Sequence, residues 1–107
     1  MGYVYLILEI DKNGEETYKI GITKNDPIKR QKNLQTGNPN KIQVLNFYES
    51  SNYLKVERWL HKQYNIKTEA DNEWRSLTNE QVMSFLDDCK KADSVITTLL
   101  KENPFYK

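Results

Sequence analysis

Tyr3 to Ile10 (YVYLILEI) is a run of β-branched and aromatic residues that predicts a strand. Its period of two puts Tyr3, Tyr5, Ile7 and Glu9 on one face and Val4, Leu6, Leu8 and Ile10 on the other, so Tyr5 lies opposite the more apolar face. The polar stretch Asp11 to Glu16 follows, with Asn13-Gly14 as a hairpin signal, and Thr17 to Thr23 predicts the returning strand. Asp26-Pro27 opens a short basic helix, Asp26 capping and Pro27 taking the first helical position, and Thr36-Gly37-Asn38-Pro39 stops it.

Lys41 to Ser50 alternates as a third strand. Ser51 or Asn52 then caps a helix to about Tyr64, with Tyr53, Val56, Leu60 and Tyr64 as its apolar stripe. Glu57 and His61, four residues apart, share a face at the margin of that stripe. Thr78-Asn79-Glu80-Gln81 matches a capping box and starts a last helix to about Lys101. Its apolar positions Val82, Phe85, Cys89, Ala92, Ile96 and Leu99 cover the sheet or pair with a second copy. Covering is favoured, because the stripe falls short of the roughly three heptads a coiled coil calls for.

The expected fold is therefore α/β in the α+β sense: a small three-stranded antiparallel sheet flanked by helices, in the order β-β-α-β-α-α. A chain of 107 residues suits one domain. Residues 1–77 form its core, and residues 78–107 a C-terminal helix packed on that core or joining two copies as a homodimer. A lone cysteine, Cys89, excludes an internal disulfide and reads as a small buried hydrophobe. No stretch approaches the roughly 18 apolar residues of a membrane span, and Met1 to Ile10 lacks the marks of a secretion signal, so a cytoplasmic protein with no membrane partner is expected.

The formal net charge of +1 conceals an uneven distribution. Residues 17–67 carry ten Lys or Arg against only Asp26, Glu49 and Glu57, while the segments on either side are acidic. Such a basic middle suits phosphate neutralisation with counterion release. Lys24, Lys29, Lys32, Asn38, Asn40 and Lys41 are candidate phosphate contacts on charge and placement.

Four short motifs fall in order on these elements. Tyr3-Val4-Tyr5 stands on the first strand and Lys19-Ile20-Gly21 on the second, with Arg30 on the first helix and Glu57 on the next. Together they resemble the GIY-YIG endonuclease superfamily, over about residues 2–77. The run Lys19 to Thr23, the ending Leu34 to Pro39, Glu57 with His61, and Glu73-Trp74 are similar to its phage and bacterial subgroup. This chain departs from the common pattern in three ways: lysine replaces the second signature tyrosine, Arg30 lies one residue farther from Gly21, and no histidine follows Arg30 one turn later.

The resemblance implies metal-dependent hydrolysis of phosphodiesters in DNA, with RNA left open, by a bacterial or phage-encoded enzyme. Glu57 would hold one Mg²⁺ or Mn²⁺, and Arg30 would clamp the phosphate with its planar fork. Tyr5 would be the general base. A phenol ordinarily titrates near pH 10, so it needs a neighbouring cation, here Lys19. His61 is the candidate proton relay. Gly21 is expected to allow close backbone approach near the cleft, and Trp74 to be a packing residue closing the sheet. Two competing readings are a nucleic-acid-binding module of the same fold without cleavage, and a protein-interaction domain using the last helix.

Overall fold

In the computed structural model, residues 1–64 and 76–102 are described. The elements are β1 (Gly2–Ile10), β2 (Glu16–Thr23), α1 (Pro27–Gln35), β3 (Lys41–Ser50), α2 (Tyr53–Gln63) and α3 (Asn79–Glu102). The order is the expected β-β-α-β-α-α, and the sheet is antiparallel with strand order β2-β1-β3. Trp74, expected to close the sheet, lies outside the described residues, as does Glu73.

β1 is the central strand, so both of its faces need cover. Val4 and Leu6 join Tyr18 and Ile20 of β2 in one core, roofed by Tyr53, Val56 and Leu60 of α2 and by Phe85, Cys89, Ala92 and Ile96 of α3. The stripe on α3 is thus spent on the parent sheet and α2. Cys89 is fully buried, and burial pushes its thiol pKa up to about 12, as suits an inert core residue. On the opposite face Tyr5, Ile7 and Ile42 make a smaller core, against which Leu34 of α1 and Val44 pack. The face holding Tyr5, expected to be the less apolar one, is therefore also buried where α1 lies over it.

The turn chemistry is only partly what Asn13-Gly14 suggests. Gly14 does adopt the left-handed conformation, at φ 79°. Asp11, however, organises the loop: its Oδ1 accepts from the backbone N–H of Asn13 (2.8 Å) and of Glu15 (2.9 Å). The helix starts follow the local code more closely. Asp26 accepts from Ile28 N at 2.8 Å, and the Thr78 and Gln81 side chains exchange hydrogen bonds with each other's backbone at 2.9 and 3.1 Å.

Both outer strands have edge groups covered. Gln31 and Gln35 of α1 reach the β3 edge, accepting from Val44 N at 2.7 Å and Ile42 N at 2.9 Å. On β2, the Ile20 carbonyl accepts from His61 Nε2 at 2.8 Å. Such bonds satisfy edge groups that would otherwise be templates for stray pairing.

β3 carries a bulge. Leu6 pairs with Asn46 but Ile7 with Val44, leaving Leu45 as the extra residue. Ile42 and Val44 share a face before the bulge, and Phe47 and Glu49 take that same face after it, opposite Tyr5 and Tyr3 respectively.

α3 is tied down by two carboxylates. Asp88 accepts from Tyr64 Oη and, at 2.9 Å, from Ser84 Oγ. Asp93 accepts from Tyr48 Oη (2.7 Å), Ser50 Oγ (2.9 Å) and Asn52 Nδ2 (2.9 Å), joining α3 to the end of β3 and the start of α2. Burial alone would raise the Asp93 pKa, but the three hydrogen bonds prevail and hold it below the ordinary value. Replacing Asp93 with Ala should lower the unfolding free energy in urea by about 2 kcal/mol, since three donors lose a charged acceptor. Because the folded pKa is depressed, this contribution is complete above the unfolded pKa of about 4 and fades as pH falls through the lower folded value. The stability gap between wild type and Asp93→Asn should therefore narrow on acidification, and a gap that widened would contradict the assignment.

Candidate active site

Gly21 is the pivot of the candidate site. It pairs directly with Tyr5 across β1 and β2, so both project to the same sheet face. A Cβ built on Gly21 would fall 2.6 Å from Tyr5 Cζ and 3.0 Å from its Cε1, with the hydroxyl nearer still. The phenol therefore lies across the glycine backbone, an approach only glycine permits. Tyr5 is 1% exposed, so its ring is fixed, and what it offers to chemistry is the hydroxyl overhanging Gly21.

Lys19, the next residue along β2 on this face, pairs with Ile7 and is a diagonal neighbour of Tyr5. It is half-buried. The structure thus brings together Tyr5, Lys19 and Gly21 as the sequence pattern anticipated.

Arg30 reaches the same side of the sheet from α1. With Ile22, Thr23, Asn25, Lys29, Lys32 and Asn33 it lines an open groove of about 510 Å³ at the C-terminal end of β2. Its Nε is buried and has no hydrogen-bond partner among the described residues. A desolvated guanidinium N–H without an acceptor is costly, and an anionic oxygen entering the groove would relieve that cost. Lys29 and Lys32, expected as phosphate contacts, share this groove, and Lys24 is exposed just beyond β2.

The other three expected phosphate contacts stand elsewhere. Asn38 Oδ1 accepts from Asn40 N at 2.9 Å and the Asn38 carbonyl from Gln35 Nε2 at 3.0 Å, so Asn38 shapes the α1–β3 turn. Asn40 is committed to Glu9 Oε1 at 2.6 Å. Lys41 pairs with Ile10, at the opposite end of β1 from Tyr3 and Thr23 and so away from the Arg30 groove.

Glu57 and His61 arrive from α2. His61 is 7% exposed, and because its Nε2 faces the Ile20 carbonyl, that nitrogen must donate. Nδ1 is buried with no hydrogen-bond partner among the described residues. The contact fixes the β2 backbone one residue before Gly21, a role in placing the site that the spacing of Glu57 and His61 did not disclose. Glu57, one turn earlier, shares the helix face that His61 turns toward β2, and is half-buried. Among the described residues no group of three or more His, Cys, Asp or Glu is placed to hold a metal ion. A carboxylate such as that of Glu57 is the kind of oxygen donor that suits a hard ion keeping most of its waters.

Gly21→Ala tests the pivot. The added methyl must displace the Tyr5 ring from a packed core, and should cost about 1–3 kcal/mol of stability in urea denaturation. Retention of full stability would mean that the ring and the glycine are not in contact.

Neither the curated proteins nor the solved structures include a match to this chain. A family does: the family model of the T5orf172 domain matches residues 2–102, which takes in α3 as well as the sheet, α1 and α2. The chain belongs to the T5orf172 domain family.

Proposed function

We propose that this chain is a metal-dependent endonuclease of the GIY-YIG kind, hydrolysing phosphodiester bonds in DNA. The observation that carries the reading is the Nε of Arg30, buried and without a hydrogen-bond partner among the described residues, at a basic groove at the C-terminal end of β2, the strand that also carries Lys19 and Gly21. Membership of a family found in phage and bacterial nuclease-like proteins supports it.

In this reading the substrate phosphate enters the groove and takes the guanidinium of Arg30, whose charge and planar fork suit the equatorial oxygens of the transition state. Lys29 and Lys32 hold the flanking backbone. Tyr5 Oη, fixed over Gly21, acts as general base toward the attacking water, with Lys19 as the neighbouring cation on the same strand face. Glu57 would hold Mg²⁺ or Mn²⁺, which when bound supplies positive charge to the leaving oxygen. His61 positions the strand through Ile20, leaving Nδ1 to exchange protons. No helix among the described residues is long and apolar enough to cross a membrane, and a cytoplasmic setting in a bacterium or an infected host is part of the proposal.

Nicking of supercoiled plasmid tests the proposal. With Mg²⁺ or Mn²⁺ the wild type should convert supercoiled to open-circular DNA, and EDTA should stop it. Glu57→Ala and Arg30→Lys, folded by circular dichroism, should each lose about 100-fold or more, the scale expected when one group aimed at transition-state charge is removed. Metal-dependent nicking at equal rates in all three proteins would refute the assignment. Binding without any cleavage would favour a silent nucleic-acid-binding module.

A further inference from the structure

The sheet face that holds Tyr5 is only half covered. α1 lies over the part formed by Ile7, Ile42 and Val44, while in the part formed by Tyr3, Phe47 and Glu49 the last two are exposed. Phe47 is 44% exposed there, although it sits directly across β1 from the fully buried Tyr5. Gly21, Tyr5 and Phe47 thus form one row across the three strands, from the Tyr5 hydroxyl at one end to an open aromatic ring at the other.

Two features mark this ring as placed rather than incidental. The first is the bulge at Leu45, which switches the alternation of β3 so that Phe47 falls on the Tyr5 face; bulges often re-aim a side chain beside a functional site. The second is Tyr3, whose ring meets Phe47 edge-on, with centroids 5.8 Å apart and planes at 75°. This contact fixes Phe47 without hiding it. An exposed aromatic held rigid loses little conformational entropy when something stacks on it.

The charges nearby decide what that something is. Glu49 stands opposite Tyr3 on the same face. A carboxylate here repels phosphate, whereas the Arg30 groove attracts it. A strand whose backbone lies in the groove would therefore bring an uncharged group, its base, to the aromatic pair.

We infer that Phe47, propped by Tyr3, is a stacking platform for an unpaired nucleobase next to the scissile phosphate, so that the preferred substrate is single-stranded or locally unpaired nucleic acid. This rests on the nuclease reading of the same sheet face. A fully paired duplex cannot offer a base without flipping it, which costs unstacking and unpairing energy. Stacking on an aromatic is tolerant of sequence, so the platform confers preference for structure rather than for sequence.

Fluorescence anisotropy in EDTA, with a labelled oligo(dT) and a fully paired duplex of equal length, reads the platform without cleavage. In the wild type the single strand should bind more tightly than the duplex. Phe47→Ala should lower the ratio of single-strand to duplex affinity by about 5- to 150-fold, the loss expected for one stacked base. Phe47→Trp should restore it. An unchanged ratio in a folded Phe47→Ala protein overturns the inference. So does a change of oligomeric state on sizing with the ratio intact, which would make the patch a contact between copies. Plasmid nicking by wild type and Glu57→Ala separates the two levels: nicking that depends on Glu57 with an unchanged ratio removes only the platform. A ratio that falls in a protein that never nicks keeps the platform and removes the nuclease.

Discussion

Everything in this structure depends on β1 being the middle strand, buried on both faces. A central strand cannot afford a polar side, and β1 has none along Val4 to Ile7, all of which are within 1% of full burial. That forces α2 and α3 to one face and α1 to the other. It also forces the phenol of Tyr5 into a core, where the space opened by Gly21 lets its ring lie across the neighbouring strand. The candidate site is built around that place, where the hydroxyl of an otherwise buried ring lies over the Gly21 backbone.

The site gathers at the margins of the layers. Arg30 stands on α1 where β2 ends, and Glu57 and His61 lie on the face of α2 turned to the β2 edge. β2, an outer strand, is where groups from both sides of the sheet meet. A cation from one side and a carboxylate from the other can approach a single substrate only around such an edge. The same edge carries the His61 bond to Ile20, so stability and placement are served by one contact. The Asp93 network does comparable work at the opposite strand, locking α3 to β3 and the start of α2.

Much of this was legible in the residues. The capping box at Thr78 to Gln81, the Asp26 cap, the antiparallel hairpin and the stripe on α3 are local codes, and local codes read well. Gly21 was legible as a close approach because little else explains a glycine between two strand-forming residues. The covering of both faces of β1 was not, because alternation tells two faces apart without saying which helix packs on which. The Leu45 bulge was hidden too. Strict alternation along Lys41 to Ser50 puts Phe47 opposite Ile42 and Val44, and only pairing with β1 shows that they share a face. Lys41 and Asn38 looked like phosphate contacts by charge and polarity, but sequence distance does not reveal that Lys41 starts at the far end of the sheet, or that Asn38 is used in a turn.

The proposed function turns on Glu57, which would hold a divalent ion beside the β2 edge. Paramagnetic broadening of backbone amide resonances by Mn²⁺ measures this without any substrate. The account predicts that Mn²⁺ broadens the signals of Ile20 to Ile22 and of the α2 turn around Glu57, and that Glu57→Gln abolishes the effect at both. Broadening centred on the acidic residues of α3, or broadening at β2 that survives Glu57→Gln, would contradict it.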